Sequence, residues 1–202
     1  MRESAIISRS VTQLLEQSTA ATDVPDPSVF VDQHWLRPVR VAAATLIGQA
    51  QDAEFASRSF RGNGQEVLLL ARDDASDVFI YLRRHIAGET QPITAAEKTV
   101  VMTLNGSVSM EAFRDSADVE ADEPWYVRDF DSESIYACHP GTVHRLDLSA
   151  DGVQLVLSRE ALSVIEGAKP LLESEYEAAI SAARTQLLEI SQQPLRLMDA
   201  TS

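Results

Sequence analysis

The spacing of hydrophobic residues divides the chain into a helical beginning, a β-rich middle and a helical end. Residues 4–18 carry apolar side chains at roughly helical spacing. The stretch TDVPDPS then breaks this pattern, and Asp26 or Ser28 is suited to cap a short helix that runs through Trp35. A further helix is expected after the next proline. The pattern therefore predicts a helical segment over residues 1–54.

From residue 55 the apolar positions indicate short strands separated by turn-forming residues. The β-prone segments include EVLLLARDD, DVFIYLRRHIAG, KTVVMTLNGSVSMEAFRD, WYVRDF, SIYACHPG, VHRLDLS and GVQLVLSRE. Asn105 and Gly106 in LNGS are typical of a tight hairpin, and RGNGQ also reads as a hairpin loop. Seven or eight strands at this spacing predict a β-sandwich or closed barrel over residues 55–160.

After Arg159 the helical period returns. Pro170 is expected to divide this part into a short helix and a longer one from about Glu173 to Gln192. The longer helix carries an apolar stripe, which consists of Tyr176, Ile180, Ala183, Leu187 and Leu188. We expect the helices of residues 161–202 to pack either on the barrel or on a second subunit.

Composition and charge narrow the class of protein. Of the 202 residues, 45% are hydrophobic and 24% charged, which is typical of a folded soluble domain. The formal net charge of −14 repels phosphate groups, so we expect neither nucleic acid nor a membrane surface as a partner. The single cysteine, Cys138, excludes an intrachain disulfide. The first residues lack the apolar core of a signal peptide, and we expect a cytoplasmic protein.

The stretch CHPGTVHRL contains the clearest candidate for a functional side chain. His144 follows a Pro-Gly turn at the start of a predicted strand, and Gly106 ends an earlier one. This arrangement resembles the two-motif pattern of the cupin superfamily, over about residues 65–160. The resemblance implies a double-stranded β-helix, or jelly roll, here preceded and followed by helices. It also implies a barrel mouth that commonly holds iron, manganese, zinc or nickel.

The layout around the first motif is most similar to the thiol-dioxygenase branch of cupins. Gly88, Pro92 and Ile93 stand in suitable places, but residues 94–96 are Thr-Ala-Ala where that branch has His-x-His. The usual cupin glutamate falls on Thr99. Of the usual ligand set only His144 is present. A mononuclear centre needs about three converging protein ligands, so the remaining donors must come from elsewhere.

His85 and Glu97 are the candidates for those donors. Strand alternation places His85 on the face shared by Phe79, Tyr81 and Arg83, which we expect to point into the barrel. Glu97 lies two residues before Thr99. A site of His85, Glu97 and His144 would hold one divalent metal ion, with iron as the first choice. The alternatives are an ion pair of Glu97 with Arg83 or Arg84, and no metal at all.

Two classes of function follow from these candidates, with a small molecule as the expected partner in both. In the first class the protein is an enzyme. It is either a metal-dependent, dioxygenase-like enzyme with His144 as a metal ligand, or an isomerase, epimerase or lyase with His144 as general acid or base. Tyr81 or Arg83 would then position the charge of the substrate. In the second, it is a metal-free binding or regulatory cupin. Cupins often pair barrels edge to edge, so a homodimer is also expected.

The other two chemically reactive residues of this stretch receive structural interpretations. Cys138 and His139 are neighbours on a predicted strand, so their side chains point to opposite faces and do not form a nucleophilic pair. A lone cysteine is most often a small core residue. His139 precedes the Pro-Gly turn and is expected to be a surface loop residue.

Overall fold

A computed structural model describes residues 29–30, 41–43, 45–46, 53–73, 77–132 and 134–192. The predicted helix over residues 4–18 lies outside this range. Within the described part, the strands are β1 (Val29–Phe30), β2 (Phe60–Gly62), β3 (Gln65–Asp73), β4 (Val78–His85), β5 (Ile93–Thr94), β6 (Thr99–Asn105), β7 (Ser107–Phe113), β8 (Tyr126–Asp131), β9 (Ser134–Cys138), β10 (Val143–Leu148), β11 (Val153–Ser158) and β12 (Lys169–Pro170). The helices are α1 (Ala53–Ser57), α2 (Ser116–Ala121) and α3 (Glu173–Gln192).

The strands β4 to β11 form a jelly roll, which confirms the predicted fold class. The large sheet contains the order β4-β11-β6-β9, and the small sheet has the order β5-β10-β7-β8. Counted from β4, these orders are 1-8-3-6 and 2-7-4-5, and every pairing is antiparallel. The chain therefore winds back and forth between two facing sheets, as a double-stranded β-helix does. Strands β3, β2 and β12 extend the large sheet at one edge, and β1 extends it at the other.

Two glycine turns that look alike in sequence have different structures. The RGNGQ turn is the predicted hairpin between β2 and β3, with positive φ angles of 53° at Asn63 and 69° at Gly64. The predicted hairpin at LNGS was wrong, because β6 and β7 belong to different sheets and Gly106 lies at the corner between them. Gly106 has φ +68°, and a Cβ atom there would lie 2.9 Å from Gly152 Cα. Only glycine fits this corner.

The large sheet is buried on both faces, and this explains the nearly continuous apolar runs in β3, β4, β6 and β11. One face packs on the small sheet and forms the inner core, which includes Leu69, Tyr81, Val101, Met110 and Leu146. The other face packs on helical residues and forms the outer core. The outer core includes Leu68, Leu82, Met102 and Leu155 from the strands and Ile180, Ala183 and Leu187 from α3.

Helix α3 has the predicted bounds and packs on the outer face of the large sheet of its own chain. The Tyr176 hydroxyl donates a hydrogen bond to the Leu69 carbonyl oxygen, at 2.7 Å. The short helix expected before Pro170 was wrong, since residues 159–168 contain no helix. The Leu162 and Ser163 N–H groups instead donate to the side chains of Tyr81 and Glu97.

The N-terminal segment is helical only in part of what the structure describes. Residues 41–43 and 45–46 are helical, as predicted after Pro38, and Ala42, Ala43 and Leu46 lie in the outer core. The predicted helix from Ser28 through Trp35 was wrong at Val29–Phe30, which pair with β9 as an edge strand. No helix in the described part of the chain is long and apolar enough to cross a membrane.

Candidate functional site

A cavity of about 780 Å³ opens between the two sheets at one end of the jelly roll. Its walls come from both sheets, from the linkers on either side of β5 and from the segment that follows β11. The lining residues include Phe60, Arg83, Thr99 and Cys138 of the large sheet, Ile93, Thr94 and His144 of the small sheet, Ala95, Ala96 and Glu97 between β5 and β6, and residues 162–167. Cavities of this size commonly hold small organic ligands.

His144 lies in the floor of this cavity, at the second position of β10, and only 3% of its surface is exposed. Its Nδ1 is 3.2 Å from the Thr142 carbonyl oxygen. Because a carbonyl only accepts hydrogen bonds, the neutral ring carries its proton on Nδ1 and leaves the lone pair on Nε2. Burial lowers the pKa of His144 to about 4; the Thr142 hydrogen bond opposes this shift and the nearby Arg83 charge adds to it. The ring is therefore neutral at physiological pH.

Arg83 brings a permanent positive charge to the same floor. It is 8% exposed, and its Nη1 donates to Gln154 Oε1 at 3.3 Å. Gln154 lies between Arg83 and Thr103 in the strand register, and its amide also contacts the Tyr136 hydroxyl and the Thr103 hydroxyl. The Nε atom of Arg83 is buried and has no hydrogen-bond partner. Arg83 thus ends a buried polar network whose other members are all neutral.

Cys138 and Tyr136 are protonated in this environment. Burial raises the pKa of the Cys138 thiol to about 11, against the opposing effects of Arg83 and a hydrogen bond from Thr99. Burial also raises the pKa of Tyr136 well above its usual value. A thiol in this state is a poor nucleophile, so Cys138 acts as a small wall residue, in agreement with its structural interpretation.

Residues 159–168, which we call the strap, cross the mouth of the cavity. The Leu162 N–H donates to the Tyr81 hydroxyl at 3.0 Å, and the Ser163 N–H donates to Glu97 Oε1 at 2.9 Å. The Ser163 hydroxyl makes a second, short hydrogen bond to the same carboxylate oxygen. Leu162 and Ile165 pack against the inner core. Two barrel side chains therefore hold the strap in an irregular path, which is why no helix forms there.

The structure separates the three proposed metal ligands. His144 and Glu97 line the cavity, but the Glu97 carboxylate already accepts a hydrogen bond from Ser163 of the strap. His85 is at the end of β4, where strand alternation assigns it to the same side as Arg83, and it is not among the residues that line the cavity. In the described residues, no three His, Cys, Asp or Glu side chains are grouped so that they could hold a metal ion. The donor set therefore does not fit a mononuclear metal centre.

The positions where the cupin resemblance expects ligands do surround the cavity. Thr94, Ala96 and Thr99 all line it, together with His144. The hydroxyl and methyl groups of the first three cannot replace imidazole or carboxylate donors. These positions therefore line the cavity without supplying metal donors.

The remaining candidate residues have other partners. Tyr81, proposed to position substrate charge, is fully buried, is not among the lining residues, and holds the strap through its hydroxyl. The alternative ion pair of Glu97 with Arg83 or Arg84 was wrong. Arg83 donates to Gln154, and Arg84 Nε bonds to buried Glu66 at 2.6 Å. His139 was expected on the surface but is buried, with 6% of its surface exposed.

Sequence reasoning missed the strap and the polar network. Gln154, Thr103 and Tyr136 lie on three different strands and look like ordinary strand residues in sequence. One signal was present: Gln154 is a polar residue within the apolar run VQLVLS, at a position that alternation assigns to the inner face.

No protein-family model and no curated protein sequence matches this chain. Among solved structures, it is similar to a cupin superfamily protein from Desulfitobacterium hafniense, with 17% identity over 48% of this chain and 79% of that one, at a TM-score of 0.34. A cupin-like protein from Thermotoga maritima has 19% identity over 61% and 89% of the two chains, at 0.37.

A third similarity is to Streptomyces albus HEPD, determined with 2-hydroxyethylphosphonate and Fe(II) bound. It has 13% identity, covers 51% of this chain and 22% of that enzyme, and has a TM-score of 0.37. With scores at this level, the assignment to the jelly-roll class rests on the strand order of this chain itself.

Proposed function

We propose that this protein binds a small organic molecule in the cavity beneath the strap and does so without a resident metal ion. The observation that carries the proposal is the floor of the cavity, where His144 is held as a neutral acceptor by the Thr142 carbonyl. The lining combines apolar side chains, such as Phe60, Ile93 and Leu162, with polar ones, such as Arg83, Thr99 and Glu97. A cavity that buries apolar surface and offers fixed polar groups is the usual form of a small-molecule site.

The same groups favour binding over acid–base or nucleophilic catalysis. A histidine with a pKa of about 4 is protonated in roughly one molecule per thousand at pH 7, so it is a weak general base. The Cys138 thiol has a pKa of about 11 and supplies no thiolate. The cavity is therefore better suited to bind a ligand than to catalyse its acid–base or nucleophilic conversion.

The competing function is the dioxygenase-like activity that the sequence resemblance implies. It requires one equivalent of metal on His144 and two further donors. The supporting observation is that an unprotonated Nε2 is the form of histidine that a metal binds. Metal analysis of the purified protein beside His144→Ala tests it, since about one equivalent of iron, zinc, manganese or nickel that is lost in the variant would establish that centre.

A screen of small molecules by NMR tests the proposed function. We expect hits that shift the backbone amide signals of Thr99, Cys138 and His144. Ala96→Trp places a large ring at the exposed side of the cavity and should abolish these shifts, with the fold retained. Ala178→Trp, on the exposed face of α3, is the matched control and should leave them unchanged. Shifts that survive in Ala96→Trp would place binding elsewhere.

A further inference from the structure

We propose that the ligand of this cavity is a small organic monoanion whose carboxylate is bound by the guanidinium of Arg83. This inference rests on the proposed function and adds the chemical class of the ligand. It follows from the position of one buried charge and from the groups around it.

The guanidinium of Arg83 has no carboxylate partner among the described residues. Its contacts are the Gln154 amide oxygen and the Tyr136 hydroxyl, both neutral, and its buried Nε–H donates to nothing. A buried charge without a counter-ion is costly, and proteins rarely keep one unless something binds to it. Since Arg83 also lines the cavity, the missing partner fits there.

The other groups in the cavity floor carry no negative charge, so the counter-ion of Arg83 must come from the ligand. His144 and Cys138 are neutral, and Arg83 is the charge that acts on both of them. The carboxylate of Glu97 is held by the strap, while Glu89 and Glu166 line the outer part of the cavity and are exposed. A molecule that binds there meets a cationic floor and an anionic rim.

These two zones limit the charge of the ligand. A single carboxylate matches the planar fork of the guanidinium, which offers its free Nε–H and the neighbouring Nη. A second negative charge near the rim would be repelled by Glu89 and Glu166. A monoanion with a neutral remainder therefore fits the cavity better than a dianion does.

Arg84, the next residue on β4, provides an internal comparison. Its side chain points to the opposite face of the sheet and bonds to Glu66, which also accepts from Arg61. Of these two adjacent arginines, one has a carboxylate partner within the protein and the other lacks one. A structural role alone would predict a partner for both.

The test is a titration of the ¹⁵N-labelled protein with sodium butyrate and with butyramide, which have similar shape but different charge. We expect butyrate to shift the Arg83 Nε–H signal and the amide of His144, and butyramide to bind at least tenfold more weakly. Arg83→Met should weaken butyrate binding at least tenfold without lowering the thermal midpoint. Arg84→Met should bind butyrate as the wild type does, at a lower midpoint.

Two results would overturn the inference. Equal binding of butyrate and butyramide would show that the charge is not recognised, although the proposed function would stand. Undiminished butyrate binding by Arg83→Met would exclude Arg83 as the anchor. If Arg83→Met does not fold, the comparison of the two probes on the wild type still decides the charge. The proposed function itself fails if molecules of neither charge shift the cavity signals.

Discussion

Replacement of His144 by glutamine should remove much of the protein's loss of stability in mild acid. Glutamine keeps a similar volume and can still donate to the Thr142 carbonyl, but it does not titrate. In the folded protein burial lowers the pKa of His144 from 6.5 to about 4. In the unfolded chain the ring takes up its proton near pH 6.5, so the unfolded state binds more protons between these two values and stability falls as the pH falls.

The magnitude follows from the size of the shift. A lowering of 2.5 units, from 6.5 to about 4, at about 1.36 kcal/mol per unit sets an upper limit of roughly 3.4 kcal/mol. At pH 4 about half of the folded molecules are already protonated, so about 3 kcal/mol of stability should be lost between pH 7 and pH 4. The loss begins below about pH 6.5 and ends near the folded pKa.

Urea unfolding of the wild type and His144→Gln at pH 7 and pH 4 measures this effect. All other groups titrate alike in both proteins, so the difference between their pH dependences isolates His144. We expect the wild type to lose about 3 kcal/mol more than the variant. The same loss in both proteins would refute the claim that His144 is buried as a neutral acceptor in the cavity floor.

Three further predictions concern groups that hold the site in place. Tyr176→Phe should lower the free energy of unfolding by about 1–3 kcal/mol, because it leaves the buried Leu69 carbonyl without its donor; an unchanged urea midpoint would contradict this bond. Tyr81→Phe should keep the fold but speed hydrogen exchange of the Leu162 amide about 5- to 10-fold, whereas unchanged exchange would show that the hydroxyl does not hold the strap. Gly106→Ala should lower the free energy of unfolding by about 1–3 kcal/mol, because φ is positive there and the new Cβ atom would crowd Gly152. The loss should be clearly larger than for Gly167→Ala, where φ is also positive but the space around the Cβ atom is open. Equal losses would refute the effect of crowding.

The fold was predictable because its signals are local. Each strand is a short apolar run between turn residues, and the Pro-Gly turn before His144 marks the start of β10. The hairpin error at Gly106 shows the limit of such signals. An Asn-Gly pair indicates a reversal of the chain but does not say whether the next strand joins the same sheet or the facing one.

The candidate site was predictable only where a short local motif marks a residue. The Pro-Gly motif identifies His144. The role of Arg83 depends on partners on β9 and β11, which are more than 50 residues away in sequence. The apolar residues of the strap have helical spacing, which predicts a helix that the structure does not contain. Its actual path is set by Tyr81 and Glu97, which replace the helical hydrogen bonds.

One titration decides whether the cavity around His144 binds a small molecule without metal. The protein is treated exhaustively with a chelator, and butyrate binding is followed through the cavity amide signals before and after treatment. Because we propose that no metal takes part, we expect the same shifts and the same affinity in both samples. Binding that disappears with the chelator and returns with Fe(II) or Zn(II) would contradict it.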